Sequence, residues 1–119
     1  MEKTKRAWVA ATLDTKNDEA NYVCTLLEAA GVPVALADLS TSGSSVPAAT
    51  RIHFSPDDIA AHHPQSRSAV FTGDRGTAIA AMSDAFERFV KSRDDIGGML
   101  GLGGSGGTAL ITRAMRSFL

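Results

Sequence analysis

The chain has 119 residues, 44% hydrophobic and 21% charged, the make-up of one modest globular domain. Its formal net charge is −1, which argues against a surface that tracks phosphate backbones, so neither nucleic acid nor membrane is an expected partner. The single cysteine, Cys24, excludes an internal disulfide and fits a reducing compartment, here expected to be the cytoplasm. A local anion site remains open, because the N–H groups at a helix start bind anions without altering net charge.

Lys3, Lys5 and Arg6 precede an apolar run from Ala7 to Leu13 that Asp14 ends. The run is too short for a secretory leader or a bilayer span and reads as a buried strand after a solvated tail. Residues 7–12 are apolar on both faces, as a central parallel strand requires. A helix is predicted over 17–30, where Ala20, Val23, Leu26, Leu27 and Ala30 recur at helical spacing and Gly31 stands at the C-terminal cap. Residues 32–38 read as a second strand, which completes a right-handed βαβ unit.

Residues 41–50, rich in Ser, Gly, Ala and Pro, read as a loop. Ser55-Pro-Asp-Asp58 starts a short helix that ends near His62-His63-Pro64: a serine cap, a proline at the first position, then acids in the first turn. Asp74 can cap a helix over 75–91 with Ile79, Met82, Phe86, Phe89 and Val90 along one face. A third strand is predicted over 96–101 and a last helix over 106–118, with Leu110, Ile111, Ala114, Met115 and Phe118 on its apolar face.

The order β-α-β-loop-α-α-β-α predicts an α/β fold, Rossmann-like (flavodoxin-like), with a mostly parallel sheet, helices on both faces and three layers, as a single domain over 1–119. Three strands make a narrow sheet. A further strand is expected after the last helix, from a longer chain or through a homo-oligomer.

Open parallel sheets bind ligands beyond the carboxyl ends of their strands. Three segments fall there: Leu13-Asp-Thr-Lys16, Asp38, and the run Gly101-Leu-Gly-Gly-Ser-Gly-Gly-Thr108. In that run Gly101, Gly103 and Gly106 fit G-x-G-x-x-G, and a helix follows. Glycines let the backbone approach a phosphate, and the helix start offers N–H donors with a partial positive charge. Ser105 and Thr108 add hydroxyls or cap the helix. The run follows the third predicted strand rather than the first, which disfavours a dinucleotide fingerprint, and Gly107 stands where a Walker A loop has lysine. Lys16 is then the nearest cation by topology. The alternative is a tight strand-to-helix turn with no ligand.

Asp14 and Thr15 either cap the following helix or serve a metal or hydroxyl. Asp38 either accepts a ribose hydroxyl or is a plain surface acid. Arg75, within Gly73-Asp-Arg-Gly76, either approaches an anion or is solvated. His53, His62 and His63 lack the spacing of a metal site, and Cys24 reads as a core residue.

Thr12-Leu-Asp-Thr-Lys16, Ala30-Gly-Val-Pro-Val34 leading to Asp38, Gly73-Asp-Arg-Gly76 and Gly101 to Ala109 occur in the order seen in the UPF0261, or Tm-1-like, family, which the whole chain resembles. The resemblance implies a Rossmann-like ATP-binding domain at the N-terminus of longer proteins, with a TIM-barrel-like domain after it. It also implies that this chain is most of that domain, ending before its next strand. A plant member binds viral replication proteins, which keeps a protein-interaction role open. Asn17-Asp-Glu19 replaces the family's usual G-E-E, and Leu39 and Ser40 replace a valine and a glycine beside Asp38.

The expected function is therefore binding of a nucleotide, ATP alone or with magnesium, by Asp14, Thr15, Lys16, Asp38, Gly103, Gly104, Ser105, Gly106, Gly107 and Thr108. A non-nucleotide phosphorylated metabolite and a protein-interaction or regulatory module are the alternatives. No residue identifies itself as the base or water-positioning group that phosphoryl transfer needs, so the residues do not decide whether the chain is an enzyme.

Overall fold

The computed structural model of the chain describes residues 5–41, 52–103 and 107–118. It contains β1 (Arg6–Ala11), α1 (Leu13–Ala29), β2 (Val34–Asp38), β3 (Ile52–Phe54), α2 (Pro56–Ala60), a 3₁₀ turn (Arg67–Ala69), α3 (Arg75–Lys91), β4 (Ile96–Leu102) and α4 (Gly107–Phe118). All the strand pairings are parallel and the order is β3-β2-β1-β4, an α/β Rossmann-like sheet with helices on both faces.

Two of these features depart from expectation. β3 adds a strand, so the glycine run follows the fourth strand and not the third. A three-residue segment carries too little alternation to be seen in sequence, and pairing with Ala35 to Ala37 is what makes it a strand. α1 begins at Leu13 instead of residue 17, but Lys16 leaves helical geometry (φ −121°, ψ 22°) and kinks it one turn in. Most of the loop expected over 41–50 lies outside the described residues.

Local signals elsewhere act as read. Gly31, at φ +82°, ends α1 in a Schellman turn: Gly31 N–H donates to Glu28 O and Val32 N–H to Leu27 O, each at 3.0 Å. Ser55 and Asp58 form a reciprocal capping box on α2. The Asp74 carboxylate accepts the Thr77 N–H at 2.9 Å and caps α3.

Alternation along β1 divides the core. Val9 and Ala11, with Val34 and Leu36 of β2, meet Leu13, Ala20 and Cys24 of α1. Trp8 and Ala10, with Ala35 and Ala37, face α2, α3 and α4 on the other side. This second layer holds an aromatic cluster in which Phe89 touches Trp8, Phe54, His62 and Phe86 at centroid distances of 5.1–6.4 Å. The Arg93 guanidinium lies over three of those rings (Trp8, Phe54, Phe89) and pairs with Asp95 through two hydrogen bonds, which hold it firmly protonated.

α3 and α4 both run back from the C-terminal ends of the strands, so they lie parallel, clamped by polar contacts. Arg113 Nε donates to Glu87 Oε1 at 3.0 Å, and Ser117 Oγ donates to Glu87 Oε2 at 2.6 Å. The Ser117 hydroxyl, and next the nearby cations, hold the Glu87 carboxyl below its ordinary value, and the Thr77 hydrogen bonds do the same for Asp74. A carboxyl with a depressed folded value stabilises the fold above its unfolded value and loses that contribution as pH falls through the folded value. Melting temperature is therefore expected to drop on acidification below the ordinary carboxylate range. The drop should be shallower in Glu87→Gln and Asp74→Asn, and an unchanged acid slope in both would remove these two groups from the acid response.

Candidate functional site

Ala11 at the end of β1 pairs with Asp38 on one side and with Leu102 on the other. Thr12 to Lys16, Asp38 to Ser40 and Gly103 therefore leave the sheet at one level. The connections diverge here: α1 crosses one face toward β2, while α3 and α4 cover the opposite face toward β4. Between β1 and β4 lies the switch point of the sheet, where open parallel sheets take ligands.

Around it, the sequence-selected residues do different work. Asp38 is 1% exposed and Ser40 is fully buried. Asp38 Oδ1 accepts the Leu13 N–H at 3.2 Å, the Ser40 N–H at 3.0 Å and the Ser40 hydroxyl at 2.6 Å. Ser40 Oγ in turn accepts the Asp14 N–H at 3.1 Å. Asp38 is thus no plain surface acid. Its carboxylate and Ser40 cap the first turn of α1 from the neighbouring strand, a task usually left to the residue at the cap itself. Asp38 Oδ2 is buried without a hydrogen-bond partner among the described residues.

Thr12 occupies the cap position but makes no side-chain cap; its hydroxyl lies 3.1 Å from that of Thr15. Asp14 and Thr15 are exposed, and Lys16 is half-buried at the kink, with no ion pair to a described residue. Gly103 is exposed. Gly104, Ser105 and Gly106 lie outside the described residues, while Gly107 and Thr108 open α4. The N–H groups of Leu13 and Asp14 are already taken, so α1 has less to offer an anion than its position suggests.

The first glycine of the run has a packing role. A Cβ on Gly101 would stand 2.7 Å from Ile111 Cγ2 of α4, closer than real side chains approach. Part of the G-x-G-x-x-G signal thus reflects the seating of α4 on β4, the role that close helix–strand contact gives a glycine.

Two features were not legible in sequence. Ser40 carried no motif, and only its place beside Asp38 at the end of β2 could have marked it. A groove of about 740 Å³, lined among others by His63, Gln65, Thr72, Thr77, Asp84 and Arg113, draws on the segment before α3, on α3 and on α4. There His63 Nε2 lies 3.6 Å from Asp84 Oδ2, and His63 Nδ1 accepts the Gln65 N–H at 3.0 Å. Nδ1 is thus engaged by the Gln65 N–H, while Nε2 faces Asp84 beyond hydrogen-bonding distance. Arg75 is exposed in the first turn of α3.

Residues 5–119 match the N-terminal domain of the uncharacterised protein family UPF0261. A UPF0261 protein of Mesorhizobium japonicum is 44% identical over 114 residues, covering 95% of this chain and 28% of the relative. One from Rhizobium meliloti is 46% identical over 113 residues, covering 94% and 27%. The ToMV resistance protein Tm-1 of Solanum lycopersicum is 33% identical over 128 residues, covering 94% and 17%. The chain thus spans about a quarter of the length of the two bacterial relatives. Among the described residues, no helix is long and apolar enough to cross a membrane.

Proposed function

The chain belongs to the UPF0261 N-terminal domain family, and from this we propose that it is a nucleotide-binding domain that takes ATP, alone or with magnesium, at the switch point between β1 and β4. One observation carries the reading: the glycine run leaves β4 beside the Thr12–Lys16 turn, at the one level where the helix connections part. In this reading the segment from Gly103 to Thr108 holds phosphate oxygens through backbone N–H groups. Lys16 neutralises charge, Asp14 and Thr15 act through water or the metal, and Asp38 Oδ2 accepts a ligand hydroxyl. The domain works in the cytoplasm, as a homo-oligomer within a longer protein.

A thermal shift with millimolar Mg-ATP tests this, since a ligand selective for the folded state adds RT ln(1 + [L]/Kd) to stability. The expected result is a rise of several degrees, about 4–8 °C for some 1–2 kcal/mol in a domain of this size, abolished by Ser105→Trp and reduced by Lys16→Ala. An equal response to inorganic phosphate or a sugar phosphate, with none specific to adenosine, would replace the nucleotide by a phosphorylated metabolite. No response to any of them would end the phosphate reading. It would leave the protein-interaction reading, which the exposed Tyr22 (66%), Leu26 (53%) and Leu100 (44%) on α1 and β4 favour.

A further inference from the structure

The Thr12–Lys16 turn is tied to β2 more than to the helix it begins. The Asp38 carboxylate takes the Leu13 N–H, Ser40 takes the Asp14 N–H, and Ser40 donates its own hydroxyl to the carboxylate oxygen that serves Leu13. Both side chains are buried at the level where the sheet ends. On the far side of this tether, Lys16 departs from helical φ and ψ, so the first turn and the body of α1 meet at a kink at that lysine. Thr15 and Lys16 N–H groups both donate to Thr12 O, which closes the turn on itself. In a turn held this way, the position of the Lys16 backbone is set by β2 and not by the helix axis.

We infer that Asp38 and Ser40 are positioning residues for Lys16: through one buried and one partly buried hydrogen bond from the end of β2, they set where that cation stands at the switch point. The idea rests on the nucleotide reading for its consequence but not for its mechanism. Neither residue needs to touch the ligand for it to hold. Ser40 is the more telling of the two. It bears no charge, it is fully buried, and its hydroxyl both donates to Asp38 and accepts from Asp14. Removing that hydroxyl frees the Asp14 N–H and one carboxylate interaction while leaving the Lys16 side chain itself unaltered.

The test is a double-mutant cycle in Mg-ATP affinity, read by calorimetry, over wild type, Ser40→Ala, Lys16→Ala and the pair; Asp38→Asn is kept to the exchange readout, because the nucleotide reading gives its Oδ2 to the ligand. Ser40→Ala alone is expected to weaken binding about tenfold, the scale of one lost buried hydrogen bond. It should cost little further affinity once Lys16 is already alanine, because the tether acts through that side chain. A loss of equal size in both backgrounds would overturn the inference, as would full affinity in Ser40→Ala. Amide hydrogen exchange without nucleotide gives the independent readout. Leu13 and Asp14 should exchange at least about tenfold faster in Ser40→Ala and Asp38→Asn, while Cys24 to Leu27 in the same helix keep their protection. Uniform acceleration along α1, or none, sinks the tether. Should wild type bind no nucleotide while exchange behaves as stated, the nucleotide reading fails and the tether alone stands. The positioning claim then falls with its ligand.

Discussion

Phe89→Ala is expected to lower unfolding free energy by about 3–5 kcal/mol, the usual cost of emptying a buried aromatic site. Phe89 is 3% exposed and touches Trp8, Phe54, His62 and Phe86. It is also one of the three rings beneath the Arg93 guanidinium. Its loss therefore opens a void bounded by α3, β1 and β3 at once. It also removes part of the surface on which a charged group bonded to buried Asp95 is seated. Rigid neighbours cannot close such a space, because Trp8 is held by the sheet and Phe54 by pairing of β3 with β2. Urea unfolding measures it: the midpoint should fall with the m-value unchanged. A loss below about 1 kcal/mol would mean that the cluster collapses onto the gap, and that the layer is softer than its ring contacts imply.

Gly101→Val is expected to cost about 1–3 kcal/mol through overpacking, and its effect should extend beyond stability. The new Cβ would meet Ile111 Cγ2 at 2.7 Å, and Ile111 is itself 4% exposed, so neither side chain can yield without moving α4 away from β4. The start of α4 is one end of the glycine run. Its displacement should weaken Mg-ATP binding even though residue 101 lies within β4, before the loop. Gly98→Val, whose Cβ would meet nothing within 4 Å, is the matched control and should leave both quantities close to wild type. Equal effects at the two positions would show that strand propensity, not the α4 contact, is being measured.

How far the site could be read without coordinates differs residue by residue. Helix ends were legible wherever one residue acts on its own neighbours. The Ser55 box, the Asp74 cap and the Gly31 turn are closed within a few positions, and the residues that close them are visible in order. Thr12 to Lys16, Asp38 and the glycine run could be placed at one edge because parallel topology allows little else, and the pairing of Ala11 with both Asp38 and Leu102 meets that expectation. The work Asp38 does there was not legible. Its partners Leu13 and Ser40 are brought to it by strand register, and a carboxylate that caps a helix from the next strand leaves no local pattern. β3 leaves no local pattern for a similar reason: it is a strand only by virtue of the β2 edge it joins.

The sequence alone thus determined the family, the α/β class, the helix limits set by caps, and the common level at which Thr12, Asp38 and Gly103 leave the sheet. Each of these follows from short-range chemistry or from the few topologies that right-handed crossovers permit. Only the tertiary structure decided that Gly101 serves the seating of α4, that Ser40 holds the Asp14 N–H, that Asp38 gives one oxygen to α1, and that Lys16 stands at a kink. Those facts depend on contacts between residues far apart in the chain, and such contacts exist only once the strands have fixed their register.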